Sequence, residues 1–150
     1  HLDPLFAEQV GKVFGPNVRF GNCPFFSPED GWSYALEPPG LNIARGLPEP
    51  VEQELGTAKA VEAAATRNAE SAVRVVRNAL AHGVIAYLDA RGRSSFGGKA
   101  EMLAFVGERR RNGEVTGLHI IRISEAGFRS FLRRWVKWLN DSQLIQALAA

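Results

Sequence analysis

The sequence predicts a mainly α-helical protein with a small antiparallel β-sheet. All eight prolines fall within the first 50 residues, so regular structure should concentrate after Pro50. From Val51 to about Ala81, apolar and small residues recur at three- and four-residue steps, the spacing of one helix face. Between Val84 and Ile123 the pattern changes to short runs rich in β-branched residues, which favours strands.

Residues 1–50 are predicted to form a loop-rich N-terminal segment with one short helix. Asp3 followed by Pro4 is typical of a helix N-cap and first turn, and the helix should end at Gly15. From 16 to 48, prolines and glycines alternate with aromatic residues, which predicts an ordered loop that packs aromatic rings onto the core. The alternative is a platform on which nucleic-acid bases stack. The aromatic residues concerned are Phe20, Phe25, Phe26, Trp32 and Tyr34.

Residues 51–150 are predicted to form a helical domain with a small β-sheet at 84–123. The stripe from Val51 indicates one long helix, or two with a bend at Gly56, that stops at Gly83. Its alanines would let another helix, or a second subunit, approach closely. The predicted strands are Val84–Leu88, Met102–Val106 and Val115–Ile123, followed by a helix capped by Ser124. Asn112-Gly113 predicts a tight turn between the last two strands.

The composition indicates one domain and a cytoplasmic protein. A length of 150 residues with 45% hydrophobic residues suffices for a single core. Cys23 is the only cysteine, and the histidine spacing fits no structural zinc site, so we expect neither a disulfide, nor a metal, nor a cofactor. No apolar run is long enough to cross a membrane, and no signal-peptide pattern is present. The chain starts with His1 rather than methionine, so we expect that it begins inside a longer reading frame or carries a tag remnant.

The positive charge is modest in amount but clustered. A net charge of +2 permits an anionic partner without requiring one. One group lies at the predicted hairpin and a second on the last helix, and together with Arg74 they are candidate RNA-binding residues. Each group could equally be ordinary solvated surface. The two groups are Arg109, Arg110 and Arg111, and Arg129, Arg133, Arg134 and Lys137.

Three polar residues meet near the end of the long predicted helix. His82 closes the helix, Asn78 lies four residues earlier on the same face, and Arg77 precedes Asn78. A structural explanation exists, because the dipole at a helix C-terminus favours a cationic imidazole. The spacing alone therefore does not decide between a helix cap and a catalytic site.

This string, VVRNALAHGVIAYLD, resembles the HEPN superfamily. Its members carry an arginine, usually followed by a polar residue such as asparagine, and a histidine four to six residues beyond the arginine. The matching positions are Arg77, Asn78 and His82, and the likeness covers roughly residues 51–140, including a final helix like FRSFLRRWVKWL. The resemblance implies a HEPN-type helical bundle, commonly a homodimer, in which two copies of the motif face one cleft and cut RNA without a metal. It also implies a toxin or anti-phage defence protein, with an antitoxin or nucleotidyltransferase as partner.

The residue types suit this chemistry. Cleavage through the RNA 2′-hydroxyl requires a proton acceptor that works near neutral pH, which an imidazole provides, and we assign this role to His82. Arg77 would stabilise the negative charge that develops at phosphorus. Asn78 would orient the histidine or hold a phosphate oxygen. A two-fold axis would bring a second His82 as the acid for the leaving oxygen.

The sequence leaves three functions open. The first is a metal-independent endoribonuclease that uses Arg77, Asn78 and His82. The second is a catalytically silent HEPN module that binds nucleotide, RNA or a partner protein through the same cleft. The third, a regulator of duplex DNA, would need a helix-turn-helix that the pattern does not contain. His119 is expected to be a half-exposed sheet residue, and Tyr87 fits either a strand interior or a base-stacking position.

Overall fold

The computed structural model describes residues 4–142 of the chain. Within this range the chain forms five α-helices and the four strands of one sheet, and no helix is long and apolar enough to span a membrane. The helices are α1 (Pro4–Phe14), α2 (Glu49–Leu55), α3 (Ala58–Thr66), α4 (Ala69–His82) and α5 (Glu125–Asp141). The strands are β1 (Ser33–Glu37), β2 (Ile85–Leu88), β3 (Met102–Arg111) and β4 (Glu114–Ser124).

The sheet is antiparallel, with the strand order β1-β4-β3-β2. Both turn residues of the central hairpin have positive φ, 51° at Asn112 and 80° at Gly113, which matches the twist of antiparallel strands. The predicted turn is confirmed. The edge strand β1 comes from the first 50 residues and pairs with β4, with Tyr34 opposite Ile121. The early segment and the later one therefore share one sheet.

Both faces of the sheet are covered, which makes the described fold a layered α/β structure. On one face, Phe105 and Ile121 pack against α4, α5 and the aromatic loop. On the other face, Ala104 and Ile120 pack against Leu55 of α2 and the loop that precedes it. The expected small antiparallel sheet is confirmed. The expectation of a mainly α fold is corrected to a mixed one, because the sheet contributes residues to both hydrophobic cores.

The aromatic residues of the early loop are core residues. Phe20, Phe25 and Trp32 are each at most 1% exposed. The rings of Phe20 and Trp32 lie 4.8 Å apart edge to face, and Phe25 lies 4.7 Å from Trp135 of α5. Such contacts bury large apolar surfaces in specific geometry. The loop therefore packs onto the core as predicted, and these buried rings are not available to stack on bases.

The predicted long helix over 51–81 is wrong in one respect, because the segment forms three helices. The Thr57 hydroxyl accepts a hydrogen bond from the Ala60 amide at 3.2 Å and caps α3. The Asn68 side chain accepts one from the Ser71 amide at 3.1 Å and caps α4. Residues that cap a new helix compete with continuation of the old one. The end of α4 is as predicted, since Gly83 has φ 71°.

Arg134 is part of the packing between α5 and the early loop. Its guanidinium forms an ion pair with the buried Asp30, and its Nε donates to the Phe25 carbonyl at 3.0 Å. Ser124, which caps α5 as predicted, donates to the Asp30 carbonyl at 2.9 Å. Burial raises the pKa of Asp30, and the nearby Arg134 opposes this. Arg134 is therefore occupied within the fold.

Removal of Arg134 should destabilise the protein far more than removal of Arg129 from the same helix. Arg134→Met leaves the Asp30 carboxylate buried without its cation and should cost about 3 kcal/mol. Arg129→Met removes only an exposed pair with Glu125, which is worth less than about 1 kcal/mol. Urea unfolding of the two variants measures the difference. Equal losses would show that the Asp30 pair contributes no more than a surface pair.

Candidate functional site

Asn78 and His82 lie one turn apart on α4 and line the same cavity of about 560 Å³. We call it the α4 cavity. Charged residues of β3 stand across from the two α4 side chains, and apolar residues form the rest of the wall. The other lining residues are Leu41, Ile43, Val84, Val106, Gly107, Glu108, Arg110 and Leu118.

The α4 cavity borders an open edge of β3. The partner strand β2 reaches only as far as the pair of Ile85 and Phe105, and the Val106 amide then donates to the Val84 carbonyl at 3.1 Å. Beyond this bond, β3 has no strand on that side among residues 4–142. Alternate residues of a strand direct their backbone groups to the same side, so Glu108 presents its N–H to the open edge. The cavity therefore combines an amide side chain, an imidazole and a backbone donor.

Arg77 does not line the α4 cavity. Consecutive helical residues are rotated by about 100°, and Arg77 lies toward the groove between α4 and α5, beside Leu80 and Trp135. Its Nη2 reaches the Asn78 Oδ1 at 3.5 Å, the outer limit of a hydrogen bond. A single chain therefore brings Asn78 and His82 together at the cavity and leaves Arg77 on another side of the helix.

A second, smaller pocket of about 160 Å³ adjoins the α4 cavity and shares Asn78, Gly107, Glu108 and Arg110 with it. We call it the arginine pocket. It lies between α4 and the outer half of the β3–β4 hairpin. Its remaining lining residues are Arg67, Ser71, Arg74, Val75, Arg109 and His119.

His119 is held in the arginine pocket by two donors. The Tyr34 hydroxyl lies 2.8 Å from its Nδ1, and the Arg67 Nη2 lies 3.2 Å from the same atom. The Arg67 Nη2 also lies 3.5 Å from Nε2, so the guanidinium, which can only donate, is close to both ring nitrogens. Arg67 also stacks on the Tyr34 ring, 4.3 Å from its centroid. These contacts fix the orientation of the imidazole.

The electrostatics of this network favour a neutral histidine. Burial, together with the positive charges of Arg67 and Arg109, lowers the pKa of His119 to about 4. Burial also lowers the pKa of Arg67 and raises the pKa of Tyr34. His119 is therefore a proton acceptor and hydrogen-bonding group at neutral pH, and it carries no charge of its own.

The predicted basic residues divide into two sets. Arg74, Arg109 and Arg110 line the arginine pocket, and the exposed Arg111 lies at the hairpin tip. The α5 residues do not line either pocket. Arg129 and Lys137 form exposed ion pairs with Glu125 and Asp141 on their own helix. Arg133 is exposed, and Arg134 binds Asp30 as described.

No sequence pattern indicates Arg67, and the strand pattern predicts only a half-exposed sheet residue at His119. His119 is indeed half-buried in β4, but it is separated by 52 residues from Arg67 and by 85 from Tyr34. No local spacing indicates such a cluster. The only signal was the N-cap pattern at Asn68, which would have ended α3 and placed Arg67 in an extended connection.

Comparison with models of known protein families, with curated proteins and with solved structures finds no significant match. The functional argument therefore depends on the geometry of the site and on the resemblance of the motif. Within residues 4–142, no group of three or more histidine, cysteine or acidic side chains is arranged to hold a metal ion.

The depressed pKa of His119 predicts a measurable pH dependence of stability. The pKa of about 4 in the folded state lies below the ordinary 6.5, so the unfolded chain binds more protons between these values. The His119 contribution to the free energy of unfolding should rise with pH through this window and be complete above it. Denaturant unfolding at several pH values should show a smaller rise for His119→Gln than for the wild type. A His119 resonance that titrates at its ordinary pKa in NMR would contradict the prediction.

Proposed function

We propose that this protein is a metal-independent endoribonuclease that cleaves RNA through attack of the 2′-hydroxyl. The α4 cavity is the reaction site and the adjoining arginine pocket binds the RNA backbone. The observation that carries the proposal is that Asn78 and His82 face one cavity together with a cation, Arg110, from β3. The motif resemblance to the HEPN superfamily, stated above, gives the reaction class.

Each group has a specific role. His82 accepts the 2′-hydroxyl proton, since imidazole is the side chain suited to proton transfer near neutral pH. Asn78, one turn before it, holds a phosphate oxygen through its amide. The open-edge N–H of Glu108 provides a further donor for the charge that develops at phosphorus. Such donors act strongly because they are in position before the reaction begins.

The contacts with the rest of the RNA follow the distribution of charge. Arg74, Arg109, Arg110 and Arg111 contact backbone phosphates next to the cavity, because phosphate contacts position a strand. Arg129, Arg133 and Lys137 form an outer, weaker contact along α5. We leave Arg134 out of the interface because Asp30 occupies it. An RNA strand bound in this way is recognised by its charge and shape more than by its bases.

Under this proposal the protein acts as a homodimer of HEPN-like chains. Arg77 lies outside the cavity of its own chain. It can take part in cleavage only if a second copy of the protein presents its Arg77 to the α4 cavity of the first copy. The same arrangement supplies a second histidine as the acid for the leaving oxygen. A toxin or anti-phage role, with an antitoxin or nucleotidyltransferase as partner, follows from the resemblance.

The position of Arg77 also favours a second candidate function. Within one chain, the arginine and the histidine of the motif do not meet. A module that binds RNA or nucleotide without cutting it has no need for them to meet. Such a module would use the α4 cavity and the arginine pocket as a binding surface. Incubation with RNA in excess chelator separates the two functions, because only the nuclease releases fragments with cyclic phosphate ends.

His82→Ala should abolish RNA cleavage and leave the fold intact. The side chain is exposed at the end of α4, so its loss opens no core cavity. Loss of general acid-base catalysis should lower the rate about a hundred- to ten-thousand-fold. Asn78→Ala should retain intermediate activity, because water can replace part of an orienting amide. The measurement is cleavage rate beside melting temperature for both variants. A well-folded His82→Ala protein that still cuts RNA would leave the silent module as the better account.

Arg77→Ala and Arg110→Ala distinguish a shared site from a site within one chain. If the dimer supplies Arg77 to the partner cavity, Arg77→Ala should reduce cleavage at least about a hundredfold, as loss of a transition-state donor does. Mixing it with inactive His82→Ala protein forms mixed dimers that join one intact His82 with one intact Arg77, and these should restore the part of the activity that does not depend on the second histidine. If one chain suffices, Arg110→Ala should show the larger loss and mixing should restore nothing. A strict monomer in light scattering would exclude the shared site.

A further inference from the structure

The arginine pocket contains positive charge that neighbouring carboxylates do not balance. Four arginines line it, and two of them, Arg74 and Arg110, form ion pairs with nearby glutamates. Arg67 and Arg109 form no ion pair with any carboxylate among residues 4–142. Burial and the nearby charge of Arg109 both lower the pKa of Arg67, since like charges in a partly buried site repel. An anion in the pocket would relieve this repulsion.

Arg67 also has unused hydrogen-bonding capacity. Its Nη2 contacts His119 and its plane stacks on Tyr34, but its Nε is buried without a hydrogen-bond partner. A buried donor without an acceptor is unfavourable, and such groups are rare in folded proteins. Packing on Tyr34 explains the position of Arg67 and leaves this unpaired donor unexplained. A bound oxygen ligand would accept from the part of the guanidinium that lines the pocket.

The hairpin register keeps the pocket open. Gly107 stands opposite His119, and Gly117 stands opposite Arg109, so each large polar side chain faces a glycine across the strands. A Cβ at Gly107 would lie 3.4 Å from Val75, which leaves little room for a side chain between α4 and the sheet. The pocket volume of about 160 Å³ is well below the about 300–1,000 Å³ of sites that enclose a whole small-molecule ligand. The space suits a small ionic group.

We infer that the arginine pocket binds a phosphomonoester group, carried by the end of an RNA strand or by a free nucleotide. The two guanidinium groups that pair with no carboxylate match the charge of a dianion. Arg109 uses Nε and Nη2 on Thr116 and Arg67 uses Nη2 on His119, so the Nη1 atoms are the donors left for phosphate oxygens. The neutral His119 adds a hydrogen-bonding imidazole to the pocket without adding charge. The pocket is next to the α4 cavity, but this inference does not require cleavage there, because a module that never cuts RNA could bind the same group.

The test is calorimetric titration of the full chain with inorganic phosphate, at an ionic strength held constant with sodium chloride. The wild type should bind phosphate saturably. Arg109→Gln should weaken binding at least about tenfold, because it removes a charge-assisted hydrogen bond. Arg91→Gln is the matched control, since it removes the same charge from an exposed arginine that lines neither pocket and has no place in the proposed RNA interface. It should bind as the wild type does.

Arg67→Gln is a less clean variant because it also removes the stacking on Tyr34, so Arg109→Gln decides the matter. Circular dichroism confirms that each variant is folded. A 5′-phosphorylated oligoribonucleotide that binds more tightly than its 5′-hydroxyl counterpart identifies the RNA end as the source of the phosphate. Equal affinities, with binding of phosphate and of 5′-AMP, identify a free nucleotide. Absence of saturable phosphate binding, or equal binding by Arg109→Gln and the wild type, overturns the inference.

Discussion

The register of the β3–β4 hairpin is the constraint on which both pockets depend. The turn at Asn112-Gly113 sets Arg111 opposite Glu114, and a bulge between Arg109 and Arg110 shifts the pairing before the central strands begin. Side chains alternate between faces, so a slip of one residue would move Phe105 from the core to the opposite face. Burial of the core therefore fixes which polar residues of the hairpin face α4.

Helix α4 links this register to the candidate chemistry. Its inner face consists of small and β-branched residues such as Ala72, Val75 and Ala79, which let the helix lie close to β3. That closeness places Asn78 and His82 over the open edge of the sheet. The same helix carries Arg77 toward α5. The geometry of α4 therefore decides what one chain can do alone and what would require a second copy.

The sequence predicted the local features of this fold and missed its long-range arrangement. The hairpin turn, the Ser124 cap and the helix end at Gly83 each depend on one or two residues, so a pattern can reveal them. The pairing of β1 with β4, and the meeting of Arg67 with His119, depend on residues far apart in the chain. The alanines after Val51 recur at the same spacing whether the segment forms one helix or three. Only the weak signals of the capping residues distinguish these two possibilities.

The position of the single cysteine has a practical consequence. Cys23 is buried, its thiol lies near the carbonyls of Val13 and Arg19, and burial raises its pKa to about 11. Only the thiolate reacts readily with alkylating reagents, and the native thiol stays protonated and inaccessible at neutral pH. The native chain should therefore react little with thiol-directed labels. A cysteine introduced on the exposed hairpin tip would be the one thiol open to a fluorescent or spin probe, without removal of Cys23.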